Sequence, residues 1–136
     1  IVVDYLGLMA SAKEAETRNL ELGGISRSLL LASKALGVPI LALHQLNRNV
    51  DHRSNKRPLL ADLRESGRLE EDADVVLMLY RSGYYPSEGV DSREHVMEIW
   101  IKKNRFGGPA DEMVEMFWHA ELMRCETLEW MAQHEH

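Results

Sequence analysis

Ile1-Val2-Val3-Asp4-Tyr5-Leu6 decides the fold, because three β-branched residues run directly into an acid. An unbroken run of this kind predicts a buried strand of a parallel sheet, which is covered on both faces and so need not alternate apolar with polar residues. The strand would end at Asp4. Since ligands of open α/β sheets bind beyond the carboxyl ends of the strands, Asp4 is the first candidate binding residue.

An amphipathic helix is predicted after this strand, because apolar residues recur at spacings of three and four at Leu22, Ile25, Leu29, Ala32 and Leu36. Two glycines, Gly23 and Gly24, would cost about 2 kcal/mol relative to two alanines. We therefore expect the helix to begin near Ser26, which can cap it. Gly37, followed by Pro39, is a typical C-terminal signal.

Further strands are predicted at residues 39–46, 73–80, 96–102, 113–118 and 122–127, with a tight turn at Gly107-Gly108-Pro109 and short helix and turn at 59–72. A strand, a helix and further strands indicate an α/β fold, with a sheet that is parallel at first and ends in antiparallel hairpin strands. The second strand ends on His44 and Gln45. These residues and Asp4 would therefore lie at the same edge of the sheet.

Composition narrows the class of protein. The 136 residues are 45% hydrophobic and 28% charged, which suits a globular domain and argues against disorder. No apolar run approaches the roughly 18 residues that span a bilayer. The single Cys125 excludes an internal disulfide and fits a reducing cytosol. We expect a cytoplasmic protein with no membrane contact.

Charge is unevenly distributed along the chain. The net charge is −6, so the chain as a whole does not attract nucleic acid. Residues 48–68, however, hold six basic and three acidic side chains, a local excess of three positive charges. This segment is either a phosphate contact or an ordinary solvated loop, and charge alone favours the solvated loop.

Four blocks of the sequence resemble the C-terminal motor domain of the DnaB-type replicative DNA helicases. They are Ile1–Met9, Ile40–Arg48, Lys56–Asp74 and Lys103–Gly107. The run from Gln45 to Asp74 is the most specific. The resemblance implies a RecA-like P-loop NTPase core that is present only in part, because these residues contain no Gly-x-x-x-x-Gly-Lys-[Ser/Thr] motif. A departure is His44, where the family usually has serine.

The resemblance also implies roles for four residues of a nucleotide site. Asp4 matches the Walker B acid, which orders Mg²⁺ directly or through water beside ATP. Gln45 matches the sensor of the γ-phosphate, and an amide suits this role because it both donates and accepts hydrogen bonds. Arg105, with Lys103 beside it, matches the arginine finger that reaches the ATP of a neighbouring subunit.

DNA contacts are implied for a second set of residues. By resemblance, Arg64, Glu65 and Gly67 form the central-channel loop that grips single-stranded DNA, through charge and backbone amides rather than base recognition. Arg48, Lys56 and Arg57 would add electrostatic attraction, although a solvated loop explains each of them equally well.

The function implied is an ATP-dependent replicative DNA helicase that works as a homohexameric ring, with primase and a helicase loader as partners. Because the chain opens on a strand, we expect residues 1–130 to be the Walker B-to-C-terminus part of a larger motor domain, and 131–136 a frayed tail. Alone, this part should be unstable and unable to hydrolyse ATP. The alternatives are a RecA-like recombination or repair ATPase and a non-catalytic module that binds single-stranded DNA or serves assembly.

Overall fold

The structure, a computed structural model, describes residues 1–11, 15–66, 68–85, 93–108 and 111–128. Contacts divide the chain into two compact units, Ile1–Asp74 and Val75–His136. The single domain predicted over 1–130 stays a prediction. The tail predicted at 131–136 lies outside the described residues.

A short parallel pair of strands forms the base of the first unit. Strand β1 (Val2–Val3) pairs with β2 (Leu41–Ala42), so the predicted parallel pairing is confirmed. The ladder continues past both strands at Leu43, whose N–H donates to the carbonyl of Val3 and whose carbonyl accepts from the N–H of Leu6, both at 2.9 Å. Regular strand is shorter than the runs 1–6 and 39–46 indicated, because Leu6 already begins a 3₁₀ turn at Leu6–Leu8.

Helix α1 (Arg18–Leu36) is longer than the sequence indicated. Thr17 caps it by accepting a hydrogen bond from the N–H of Leu20 at 3.3 Å. At its other end Gly37 adopts the left-handed conformation, with φ of 65°, as the sequence predicted. The predicted start near Ser26 is wrong. Gly23 and Gly24 lie inside the helix, where packing of the helix outweighs their poor propensity.

The core of the first unit forms where α1 meets the segment after β1. Leu6, Leu22 and Ile25 are buried together, and Val3 packs against them. Val2 faces the opposite side and is 68% exposed. Within the described residues, therefore, β1 is covered on one face only, and the burial predicted for both faces is not observed.

Three short helical segments complete the first unit. They are the 3₁₀ helices Arg48–His52 and Leu60–Ser66 and the α-helix α2 (Leu69–Asp72). The short helix and turn predicted over 59–72 are thus confirmed. Pro58, in the loop that joins the two 3₁₀ helices, is fully buried, and this burial anchors the loop.

The second unit is an antiparallel sheet in the order β3-β4-β5-β6. Its strands are Val75–Arg81, Val96–Asn104, Glu112–His119 and Arg124–Thr127. They confirm the strands predicted from residue 73 onward and the hairpin between β4 and β5. Gly107 and Gly108 adopt φ of 89° and 115° in the turn, a conformation that glycine adopts without strain.

Replacing Gly83 with alanine should destabilise the protein by about 1–3 kcal/mol, the range typical of overpacking. A Cβ at Gly83 would lie 2.5 Å from the carbonyl oxygen of Glu94, and this backbone cannot move aside cheaply. Urea unfolding measures the effect. Gly24→Ala is the matched control, because a Cβ there meets nothing within 4 Å inside α1. It should stabilise the protein by about 0.5–1 kcal/mol. Equal effects of the two substitutions would contradict the steric argument.

Candidate functional site

The parallel ladder brings the ends of β1 and β2 together. Because Leu43 bonds to both Val3 and Leu6, Asp4 lies between these two hydrogen bonds and beside the segment that carries His44 and Gln45. The side chains of Asp4 and Gln45 are exposed at this edge. The register therefore places the predicted Walker B acid and the predicted sensor next to one another in the first unit.

A polar cleft of about 320 Å³ opens beside this edge. Its polar walls come from Asn19, His44, Gln45, Asn47 and Asp62. Donors and acceptors therefore outnumber apolar groups, which suits a charged, oxygen-rich ligand rather than an apolar one. Sequence reasoning found Gln45 but missed Asn19 and Asp62, since both come from helical segments far from it in the sequence.

Arg18 fixes the segment that follows Asp4. Its guanidinium donates to the carbonyl of Gly7 at 2.7 Å and to that of Met9 at 3.2 Å, and it forms an ion pair with Glu21. The start of α1 is thus tied to the loop that follows β1. No sequence pattern predicts this role, because the carbonyl groups that Arg18 binds belong to the backbone and not to a recognisable side chain.

His44 lies beside Gln45 and lines the same cleft. Burial lowers the pKa of His44 below its ordinary value, and the positive charge of Arg18 lowers it further. The imidazole is therefore kept neutral at physiological pH, and the residue adds no positive charge to the cleft.

The predicted DNA-binding residues lie in and around the second 3₁₀ helix. Arg64 and Glu65 belong to the segment Leu60–Ser66, and Gly67 lies outside the described residues. In the preceding basic loop, Nζ of Lys56 donates to the carbonyls of Asp51 at 2.8 Å and Arg53 at 3.4 Å. Lys56 therefore holds the loop together as well as carrying charge.

The other two basic candidates of the loop lie on either side of it. Arg48 is exposed at the start of the 3₁₀ helix Arg48–His52, and Arg57 is partly buried, with its N–H bonded to Oδ1 of Asn55 at 3.0 Å. For Arg48, Arg57 and Lys56 alike, the DNA contact stays a prediction.

In the second unit, Lys103 and Arg105 lie where β4 ends and its hairpin turn begins. Arg105 is exposed in the turn. Asn104 braces this turn, because its side chain accepts from the N–H of Phe106 at 3.1 Å and donates to the carbonyl of Gly107 at 2.8 Å. The hairpin is thus braced in the way that a mount for an arginine finger requires, and the role of Arg105 as that finger stays a prediction.

An aromatic pocket lies at the opposite end of β4, where Arg81 pairs with Met97. It has a volume of about 240 Å³. The guanidinium of Arg81 lies over the ring of Trp118, 5.2 Å from its centroid, and the rings of Tyr80 and Tyr85 stack at 5.8 Å. Only the pairing of the strands reveals that Trp118 is a partner of Arg81.

Comparison with known proteins identifies the family of the chain. The DnaB-like helicase C terminal domain family matches residues 1–127. The chain belongs to this family. A solved ATPase domain superposes with a TM-score of 0.85 at 38% identity, covering 93% of this chain and 43% of that one. The DnaB-like fold is thus shown, and with it the predicted RecA-like α/β class.

The relatives are replicative helicases by name. The chain is 48% identical to the replicative DNA helicase DnaB of Pasteurella multocida, covering 94% of this chain and 27% of the relative. It is 45% identical to that of Geobacillus stearothermophilus, covering 79% and 23%. A DnaB-like replicative helicase, solved in a study of its interactions with primase, gives a TM-score of 0.84 at 38% identity and covers 93% and 29%. The chain thus spans about a quarter of the length of these curated relatives.

Two features are absent from the described residues. No three or more His, Cys, Asp or Glu side chains in this part of the DnaB-like domain lie close enough together to hold a metal ion. No helix there is both long enough and apolar enough to cross a membrane.

The stability of the DnaB-like domain should decrease as pH falls below about 6.5, the ordinary pKa of His44. The unfolded chain takes up a proton at His44 below that pH, whereas the folded chain resists it until its own lower pKa, so the free energy of unfolding decreases through this window. Urea unfolding at pH 7.5 and 5.5 measures the decrease. His44→Gln should make it smaller, and an equal decrease in this variant would contradict the assignment.

Proposed function

We propose that this chain supplies the Walker B acid, the sensor, the DNA-binding segment and the arginine finger of an ATP-driven replicative DNA helicase. The observation that carries the proposal is the register of β1 and β2, which sets Asp4 beside Gln45 at the edge of a polar cleft. Such an edge is where α/β folds bind nucleotides. The family membership of residues 1–127 supports the same conclusion.

Asp4 fits the role of a Mg²⁺ ligand in this proposal. Mg²⁺ is usually held by one or two carboxylates, waters and phosphate oxygens rather than by a protein cage. A single exposed carboxylate at the strand end matches that chemistry, and the absence of a larger acidic cluster among the described residues does not conflict with it. Mg²⁺ would neutralise phosphate charge, while Asp4 and the neighbouring polar side chains would orient the bound triphosphate.

Gln45 would detect the γ-phosphate from the wall of the cleft. Its amide can donate to a phosphate oxygen and accept from a water molecule, so its hydrogen bonds would change when the phosphate leaves. His44 remains neutral beside it and would not compete for the phosphate as a cation. The amide is therefore the group in this segment best suited to the sensor role.

Arg105 would act on the nucleotide of a neighbouring subunit. Its turn projects from the Asn104 end of β4, and the Arg105 side chain is exposed there. An exposed arginine on a braced hairpin can reach a neighbouring molecule. We propose a homohexameric ring in which each subunit offers its finger to the next.

The Leu60–Ser66 segment would bind single-stranded DNA inside that ring. Arg64 would supply charge, and backbone amides around Glu65 and Gly67 would bond phosphate oxygens without recognising bases. A motor that moves along any sequence requires this kind of contact. Primase is proposed as a partner because one similar structure was solved in a study of its interactions with primase, and a helicase loader is proposed from the resemblance alone.

Of the two alternative functions, a recombination or repair ATPase and a non-catalytic module, the family match bears on only the first. Family membership favours the helicase over a recombination or repair ATPase of the RecA type. A non-catalytic module that binds single-stranded DNA or serves assembly remains the second candidate. An ATPase assay on the full-length gene product separates it from the motor.

Arg105→Ala should lower the kcat of DNA-stimulated ATP hydrolysis by a factor of about 10³ or more, because a finger in trans carries that much of the rate. Arg124→Ala removes an exposed arginine from β6 of the same unit and is the matched control, with activity close to wild type. ATPase and strand-separation assays on the full-length protein give the readout.

The same assay tests the ring directly. Mixing Arg105→Ala with Asp4→Asn subunits should recover part of the lost activity, because some interfaces then combine an intact acid with an intact finger from its neighbour. No recovery from mixed rings would contradict action in trans. If ATP hydrolysis by the wild-type protein does not respond to DNA, that result would contradict the helicase assignment itself.

Trp118 should bind the flat ring of a nucleobase in the aromatic pocket. The indole faces the Arg81 guanidinium, and stacking of a base on an aromatic ring is worth about 1–3 kcal/mol. Trp118→Leu should therefore raise the Kd of the second unit's pocket for adenosine, which carries no phosphate, about tenfold. Trp118→Phe keeps a ring and should stay close to wild type. Equal Kd values for adenosine in the two variants would show that the pocket does not bind the base.

A further inference from the structure

Asp62 connects two parts of the first unit, the basic loop and the start of the Leu60–Ser66 helix. Its Oδ2 accepts a hydrogen bond from the guanidinium of Arg53 at 2.9 Å and another from the N–H of Leu59 at 2.7 Å. The N–H of Asp62 donates in return to the carbonyl of Leu59 at 2.9 Å. One carboxylate thereby holds the start of the Leu60–Ser66 helix to the basic loop.

The same carboxylate faces the cleft. Asp62 lines it together with Gln45 and Asn47. The residue therefore belongs both to the segment predicted to bind DNA and to the site predicted to bind nucleotide. Of the cleft residues, it alone lies inside the Leu60–Ser66 helix.

Arg53 makes this connection rigid. Its guanidinium also donates to the carbonyl of Arg57 at 3.1 Å, so it joins the two ends of the turn before the fully buried Pro58. The pair is well shielded from water, with the side chain of Asp62 only 10% exposed and that of Arg53 31% exposed. A carboxylate that is shielded from water and accepts two hydrogen bonds holds its geometry far better than a surface ion pair.

Helix α2, which follows the Leu60–Ser66 segment, is anchored separately. Asp72 accepts a hydrogen bond from Ser26 at 3.1 Å and pairs with Arg27 at 3.5 Å, both on α1. Its side chain is also 10% exposed, but it does not line the cleft. The two aspartates are thus equally buried, and only Asp62 can respond to what occupies the cleft.

We propose that Asp62 and Arg53 are positioning residues that couple the nucleotide cleft to the DNA-binding segment. The inference rests on the proposed function and adds the contact, Asp62 with Arg53, through which that function would be regulated. A change in the hydrogen bonds at Gln45 would alter the surroundings of Asp62 and, through it, the start of the Leu60–Ser66 helix. DNA bound to that helix would act on the cleft by the same contact, because coupling is reciprocal.

The test is the ratio of ATPase rates with and without oligothymidylate in the full-length protein. Arg53→Gln, whose side chain does not line the cleft, should reduce this stimulation about tenfold while the rate without DNA stays within about twofold of wild type. Asp62→Asn should reduce the stimulation by a similar factor. Arg53→Lys keeps a cation that can reach Asp62, and it should recover most of the stimulation. The double variant should be no worse than the single ones, because both remove the same contact.

Asp72→Asn is the matched control. It removes an equally buried aspartate from α2, the helix that follows the segment, so it should lower the free energy of unfolding as much as Asp62→Asn does while the stimulation by DNA persists. If Asp62→Asn and Asp72→Asn change stimulation equally, or if the rate of Arg53→Gln without DNA falls in parallel with its stability, the contact has a merely structural role and the inference is wrong.

The outcome also separates the inference from the proposed function. Wild-type protein whose hydrolysis does not respond to oligothymidylate would overturn both. Wild-type protein that responds, together with Asp62 and Arg53 variants that respond equally well, would overturn the inference alone. Amide hydrogen exchange over residues 59–66 provides a second readout, because exchange there should increase in Asp62→Asn and Arg53→Gln but not in Arg53→Lys.

Discussion

The hydrogen bonds that Leu43 makes to Val3 and Leu6 are the contact on which the candidate site depends. They extend the parallel ladder beyond the two residues of each strand, and they bring the loop after β1 alongside the loop after β2. Asp4 and Gln45 are far apart in the sequence, and without these hydrogen bonds they would not lie side by side in space. A polar cleft forms there because both strands end at the same edge.

The second level of organisation is a set of charged side chains at the junctions between elements. Arg18 holds the loop after β1, Asp62 holds the start of the Leu60–Ser66 helix, and Asp72 holds the end of α2 against α1. At such junctions the chain leaves regular structure, and its backbone groups need partners. The loops of the first unit are therefore fixed in position.

In the second unit, strand pairing rather than charged side chains fixes the positions of the two candidate sites. The hairpin turn that carries Arg105 and the aromatic pocket are separated by the length of β4, and the strand ladder keeps that separation constant. The cation–π pair of Arg81 and Trp118 depends on this register, because β3 supplies one partner and β5 the other.

The sequence by itself determined the order of strands and helices, the family, and the candidates Asp4, Gln45 and Arg105, because these follow from apolar periodicity and short motifs. It misplaced the start of α1, since propensity counted Gly23 and Gly24 as breakers whereas packing of Leu22 and Ile25 holds them in a helix. Only the tertiary structure decided the contacts of Arg18, Asp62, Arg81 and Trp118. Their partners are distant in the sequence or on another strand, and pairing of this kind leaves no local pattern in the sequence.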